Sequence, residues 1–229
     1  RARGYSTLFM TSGYDPDEEK ACVSRMLSMN AAGIILCSVL PDLTYYDKFS
    51  GTATPIIAVS NRIHPGIPYA GIDDYRAMYD AARHIIDRGW EKIYYISPVL
   101  SKEGQNIDAQ SERARGFRDA VAGTDIRWEM IDSKEAFSAF SPDTGCRSAL
   151  LCSSDAYTQQ CIVRFRREID SGKLGLMGFD NVASLRLLYP ELASVAYDTC
   201  RIGVEAVKLM LDGGGQSLIP YEIIGGNTI

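Results

Sequence analysis

The most constraining feature of this chain is an alternation: short β-rich runs take turns with amphipathic runs of helical spacing along its length. Leu8-Phe9-Met10 ends a strand-like stretch. Asp15-Pro16-Asp17-Glu18 then reads as a helix start, with Asp as N-cap, Pro at the first helical position and Glu three residues after the cap. Cys22, Val23, Met26 and Leu27 follow at helical spacing, and Gly33 to Cys37 is a bare strand. The unit recurs as a short helix over Pro41 to Phe49 and strands over Pro55–Val59 and Tyr69–Ile72. Next comes a helix capped by Asp74, carrying Ala77, Met78, Ala81, Ala82, Ile85 and Ile86 on one side. Arg88-Gly89 stops it, with Gly at the usual position past the C-cap. Strand Ile93–Ile96 leads into a polar loop from Pro98 to Gln110.

The second half repeats the scheme. Helices are expected over Gln110–Val121, Asp155–Asp170, a short stretch around Leu185–Leu188, and Thr199–Leu211. The last shows Ile202, Ala206, Val207 and Met210 on one face. Strands are expected over Ile126–Ile131, Ala149–Cys152, Leu174–Gly178, Val195–Tyr197 and Tyr221–Ile224. Strands alternating with helices of this length form parallel sheets with right-handed crossovers. There are too many strands for one tidy sheet, so the reading is α/β with two doubly wound lobes. In such sheets ligands bind beyond the carboxyl ends of the strands, which makes every β-to-α turn a candidate site.

Charge narrows the possible partners. The 229 residues carry 24 Lys and Arg against 29 Asp and Glu, a net charge of −5 with no basic block. Duplex DNA binding rests on neutralised phosphates, so this chain is a poor duplex binder by itself. No apolar run approaches the roughly 20 residues of a membrane span, and the opening residues do not read as a secretory signal. The six cysteines form no C-x-x-C, and Cys22, Cys37 and Cys152 sit in apolar stretches, which reads as buried thiols in a reducing compartment. With only His64 and His84, and no metal-binding spacing, neither a zinc site nor histidine acid–base chemistry is expected.

Enzyme signatures are missing from the turns that would need them. No turn carries G-x-G-x-x-G, G-x-x-x-x-G-K-[ST] or G-x-S-x-G, and Gly213-Gly214-Gly215 follows a helix rather than a strand. No cofactor and no catalysis are expected. Polar side chains at strand ends remain. Asp180 directly follows a strand, where a carboxylate accepts hydrogen bonds from ligand hydroxyls; it would also cap the next helix. Ser154-Asp155 and Asp73-Asp74 have the same two readings. Arg113, one turn before Phe117, would clamp two ligand oxygens if it faced a cleft. Tyr14, in a turn, either stacks on a ring or packs on its own helix. Arg164-Phe165-Arg166-Arg167 reads as a solvated helix end.

Several segments together resemble the effector-binding core of lactose-repressor-type (LacI/GalR family) transcriptional regulators. These are Tyr5 to Leu36, which holds the Asp15-Pro16 helix start and ends in Ala32-Gly33-Ile34-Ile35-Leu36, then Gly71-Ile72-Asp73-Asp74 with the run Ala81 to Ile93, and Glu112-Arg113-Ala114-Arg115-Gly116-Phe117. Gly178-Phe179-Asp180-Asn181, Pro190 to Val195 and Ile202 to Ala206 complete the set, all in family order. The resemblance implies a type I periplasmic-binding-protein-like fold: two Rossmann-like parallel-sheet lobes joined by three crossovers, with a sugar-like effector held between them. The crossovers would fall near Ser97-Pro98, near Tyr197-Asp198 and in Gly213–Gln216. The lobes would then be 1–97 plus 199–213 and 98–198 plus 214–229.

Family contacts carry over onto Arg113, Asp180, Ser154, Asp155, Asp73 and Asp74. Ser154 stands where the family usually has Asn, Gln159-Gln160 where small residues are common, and Asn181 where an Asp is usual. The resemblance also implies a cytoplasmic homodimer using the Asp15–Asn30 helix and helices of the second lobe. Operator DNA would be bound by an N-terminal helix-turn-helix outside this chain, and the first βα unit of the fold would also precede it. The alternative is an extracytoplasmic solute-binding protein of a sugar transporter, which shares the fold. A small-molecule enzyme on a Rossmann-like scaffold is a third reading, with no motif behind it.

Overall fold

A computed structural model describes residues 4–40, 44–46, 54–63, 65–101 and 104–229. In chain order the elements are α1 (Pro16–Ser28), β1 (Ile34–Leu36), β2 (Ile56–Val59), β3 (Tyr69–Gly71), α2 (Asp74–Ile86), β4 (Lys92–Ile96), α3 (Asp108–Val121), β5 (Arg127–Ile131) and α4 (Lys134–Ala139). Then follow β6 (Ser148–Cys152), α5 (Asp155–Asp170), β7 (Leu174–Asp180), α6 (Ala183–Leu188), β8 (Ala193–Tyr197), α7 (Thr199–Asp212), β9 (Gln216–Leu218) and β10 (Tyr221–Ile224). Of the helix expected over Pro41 to Phe49, residues 44–46 form a 3-10 turn. The rest of it, and His64, lie outside the described residues.

The chain forms two compact units. The first comprises Arg1–Ala70, Glu103–Asn106 and Val204–Ser217; the second comprises Gly71–Lys102, Ile107–Gly203 and Leu218–Ile229. The first change of unit thus falls at Ala70/Gly71, not at Ser97-Pro98. The reason is α2, which follows a first-unit strand in sequence but packs on α3. Its small face of Ala77, Ala81 and Ala82 is fully buried there, and a Cβ on Gly116 of α3 would lie 2.1 Å from the carbonyl oxygen of Tyr75. The chain returns briefly to the first unit over Glu103–Asn106, and the last two changes fall at Gly203/Val204 and Ser217/Leu218.

The first unit holds a four-stranded sheet in the order β1-β2-β3-β9, with β1, β2 and β3 parallel. Its core is Val23, Ile34, Leu40, Tyr46, Ile56, Ala58, Ile63 and Tyr69. Asp15 caps α1 as its sequence predicts, accepting from the amides of Asp17 and Glu18. Glu19, one turn in, is buried. It accepts from Ser38 Oγ at 2.6 Å, from Val39 N at 2.7 Å and from the Tyr46 hydroxyl, which ties α1 to the segment after β1. Leu8–Met10 is not a strand: the segment has no regular structure, β1 forms the edge of the sheet among the described residues, and Leu8 and Phe9 are exposed. Propensity alone does not make a strand without a ladder to join. The strand β9 was not expected.

The second unit holds a six-stranded sheet in the order β10-β8-β7-β6-β4-β5, parallel except for β10 against β8. All five residues of β6 are buried, as a central parallel strand covered on both faces requires. Alternation divides the core. Ile93, Tyr95, Leu151, Met177, Phe179 and Val195 pack with α2 and α3, and Tyr95 stacks on Phe117 at 4.7 Å between ring centroids. Tyr94, Ile96, Leu150, Cys152 and Leu176 pack with α5 and α6.

Two local expectations change. The segment after Pro98 is not a plain loop, since Pro98–Ser101 is a 3-10 turn and α3 begins at Asp108. Arg164, Arg166 and Arg167 are exposed on the last turns of α5 as expected, but Arg164 also donates to the carbonyls of Phe137, Ser138 and Phe140, closing the C-terminus of α4, a helix not expected from the sequence.

Candidate functional site

Strands β4, β6, β7 and β8 run parallel, so their carboxyl ends and the helices that follow bring polar side chains together at one end of the second unit. Arg113, on the first turns of α3, is 6% exposed. Its Nε donates to Asp74 Oδ1 at 2.7 Å and its Nη1 to the Ser153 carbonyl at 2.6 Å. Nη1 also lies 3.6 Å from Asp180 Oδ1, and the guanidinium carbon sits 3.8 Å from the centroid of the Phe179 ring. Nε and Nη1 are therefore both engaged inside the unit. Burial disfavours the Arg113 cation, but Asp74 and Asp180 outweigh it and hold the group charged, above its ordinary value. Burial also pushes the Asp74 carboxyl up, against the pull of Arg113.

Asp180 ends β7 in a backbone that side-chain-bearing residues rarely adopt, with φ of 100°, followed by Asn181 at 52°. Such a conformation costs about 1–3 kcal/mol and persists only where the surroundings enforce it. Here both carboxylate oxygens are tethered. Oδ1 accepts from the Tyr197 hydroxyl at 2.7 Å and Oδ2 from the Asp155 amide at 3.3 Å. Asp155, the first residue of α5, accepts from the Val182 amide at 2.7 Å through Oδ2. Its other oxygen is buried without a hydrogen-bond partner and lies against Gly178, where a Cβ would come within 2.8 Å of it. Burial, opposed by the Val182 amide and reinforced by Asp180, pushes the Asp155 carboxyl up to about 6. One guanidinium thus stands among three carboxylates.

The outward groups of this cluster are Asp180, Tyr197 and Ser154. The Asp180 side chain is 22% exposed, against 3% for Asp74 and 7% for Arg113. Ser154 occupies the N-cap position of α5 but makes no side-chain capping bond, so its hydroxyl is not committed to the helix. Asp73 is exposed and is the N-cap of α2, accepting from the Arg76 amide at 2.9 Å. The sequence predicts Asp74 as the cap. A register one residue earlier leaves Asp74 inside the helix, with its carboxylate turned to Arg113. Tyr14 belongs to the first unit, where it is exposed with φ of 65°.

Three participants escaped the sequence reading. Phe179 is the ring under Arg113, Tyr197 the donor to Asp180, and the Ser153 carbonyl an acceptor for Arg113. Tyr197 had a signal: an aromatic with a polar tip closing an apolar strand. The Ser153 carbonyl had none, because it is backbone. Among the described residues no group of three His, Cys, Asp or Glu side chains is placed to hold a metal ion. No helix among them is long and apolar enough to cross a membrane. The six thiols are unpaired; Cys22, Cys152 and Cys161 are buried, whereas Cys37 and Cys200 are exposed.

A model of the family described as periplasmic binding proteins and the sugar-binding domain of the LacI family matches residues 1–135, and a periplasmic-binding-protein-like domain model matches residues 82–218. The transcriptional repressor PurR of Mannheimia succiniciproducens is 24% identical over 226 residues, covering 92% of this chain and 66% of that protein. The ribose operon repressor of Bacillus subtilis is 21% identical over 220 residues, covering 91% and 64%. The chain therefore spans about two thirds of the length of these relatives, or slightly less. A periplasmic binding protein/LacI transcriptional regulator from Alkaliphilus metalliredigens, solved with D-xylulofuranose, superposes with a TM-score of 0.77 at 20% identity, covering 99% of this chain and 88% of that one. With the fold shared and the family model matching more than half of its residues, the chain belongs to the family of periplasmic binding proteins and LacI sugar-binding domains.

Proposed function

We propose that this chain is the effector-sensing domain of a bacterial transcriptional regulator, and that its effector is a small, uncharged, hydroxyl-rich metabolite of the sugar class. The observation that supports this most is the Asp180 cluster at the carboxyl ends of the second unit's strands. An outward carboxylate held in one orientation, with the Ser154 hydroxyl available beside the same helix start, is an acceptor set for ligand hydroxyls. Three carboxylates around one guanidinium leave an excess of negative charge, which disfavours phosphorylated or carboxylated ligands. The curated relatives named as repressors support the regulatory role. Operator binding then belongs to a helix-turn-helix in the remainder of the full-length protein, coupled to the effector through its different affinities for two states of the protein. Six unpaired thiols suit a cytoplasmic regulator better than an extracytoplasmic solute receptor.

In this reading the protein works as a homodimer. Val163 on α5 and Leu187 and Leu188 on α6 are each more than 75% exposed and offer apolar surface for that contact. Sedimentation of the full-length protein tests it: a monomer at micromolar concentration rejects the dimer.

Thermal denaturation against a panel of neutral sugars, polyols, purines and sugar phosphates tests the ligand reading. A ligand at 100 times its dissociation constant adds about 2.7 kcal/mol of stability. The shift is expected with a neutral sugar or polyol and is expected to vanish in Asp180→Asn. A shift only with phosphorylated compounds, or one that Asp180→Asn leaves intact, rejects the assignment.

A further inference from the structure

Tyr197 ends β8 beside the end of β7, where Asp180 is in register with Ala196. It touches two of the groups that hold Arg113. Its hydroxyl donates to Asp180 Oδ1, and its ring meets the Phe179 ring edge-on, 6.2 Å between centroids, while Phe179 lies under the guanidinium. The other Asp180 oxygen accepts only a longer bond, from the Asp155 amide at 3.3 Å. The carboxylate that a ligand would meet is therefore oriented by this phenol together with Arg113 Nη1, 3.6 Å from the same oxygen, on a backbone residue with φ of 100°.

From this we infer that Tyr197 is a positioning residue of the effector site: it fixes the Asp180 carboxylate for ligand hydroxyls by a hydrogen bond and supports the Phe179–Arg113 stack behind it. The inference rests on the reading of Asp180 as a ligand contact. A charge-assisted bond of this kind is a strong one, so its loss is felt at the carboxylate before it is felt by the fold. Burial, with the Asp180 charge next, holds the Tyr197 hydroxyl protonated far above its ordinary range, so the donor is present at every pH at which the protein works.

The test has two arms. In the first, the protein is labelled at tyrosine Cζ with carbon-13, and the Tyr197 resonance is assigned by its loss in Tyr197→Phe. That resonance is expected to stay untitrated at pH values where a free tyrosine ionises, about pH 10, and to titrate at lower pH in Asp180→Asn than in the wild type. A tyrosine that merely packs would not respond to that substitution, and an unchanged titration overturns the tether. In the second arm, D-ribose, D-xylulose and their 5-phosphates are titrated calorimetrically into the full-length protein. Tyr197→Phe, with its thermal midpoint retained, is expected to bind the neutral sugar roughly 10- to 100-fold more weakly. Wild-type affinity in Tyr197→Phe overturns the positioning role. Failure of the wild type to bind any of the four overturns the effector reading, and the first arm still decides whether the tether exists.

Discussion

The Arg113–Asp74 pair gives the sharpest stability prediction. Both side chains are nearly inaccessible, and Arg113→Met keeps most of the aliphatic stem while removing the bonds to Asp74 and to the Ser153 carbonyl. What it strands is a buried carboxylate with no cation and a buried carbonyl with no donor. Removing one member of a buried pair costs about 3–5 kcal/mol, a large share of the 5–15 kcal/mol that holds a domain folded. Trp90 and Trp128 are the two tryptophans of the chain and both lie in the second unit, so their fluorescence in urea reports on that unit alone. With a slope of about 1–3 kcal/mol per molar urea, Arg113→Met is expected to lower the midpoint by 1 M or more.

Arg113→Met/Asp74→Asn discards both charges and is expected to recover more than half of that loss, because the stranded carboxylate is its main component. Asp74→Asn alone is expected to cost less than Arg113→Met, since Arg113 keeps Asp180 and the Ser153 carbonyl. If Arg113→Met lies within about 1 kcal/mol of the wild type, or if the two single changes add to within about 0.5 kcal/mol in the double variant, the reasoning is wrong.

Three further outcomes are expected. The Asp155 carboxyl, at about 6 in the folded chain, lies above its ordinary value of 3.8, so the folded state binds more protons than the unfolded between about pH 4 and 6. Asp155 therefore subtracts stability as pH rises through that window, and Asp155→Asn should gain on the wild type in urea midpoint between pH 5 and 7.5; parallel profiles would contradict it. Gly116→Ala places a methyl 2.1 Å from the Tyr75 carbonyl oxygen and should cost about 2 kcal/mol or more, read from the same midpoint, although alanine is the better helix former. Arg164→Ala leaves the carbonyls at the end of α4 without their donor and should speed amide exchange across residues 134–140, with little change elsewhere in the unit.

Much of the second unit is legible in the sequence because its strands are buried on both faces and read as continuous apolar runs, as Ala149–Cys152 does. The site is half legible. Arg113 and Asp180 stand out as a cation on a helix start and a carboxylate on a strand end, and the fold does bring them together. Which Asp of the Asp73-Asp74 pair caps the helix was not legible, because either side chain can do it and one residue of register decides. The unit to which α2 belongs was not legible either. That depends on the close approach of Gly116 to the backbone of Tyr75 and Tyr79, far away in sequence, and local pattern carries no such information. The expected strand at Leu8–Met10 failed for a similar reason: a strand is defined by its neighbour, and that segment has none in the described sheet.

The close seat of α2 on α3 at Gly116 also bears on motion. Helices whose backbones touch cannot slide past one another by rotating side chains, so the two must open together or not at all. Asp74 stands at the start of one and Arg113 on the other, which means the ion pair cannot be broken by a local fluctuation of either helix alone. Amides in the interiors of α2 and α3 should therefore exchange as one cooperative group, at the slow limit of the unit. The ends of β7 and β8, held to each other by the Tyr197–Asp180 bond, form the part of the cluster left to respond.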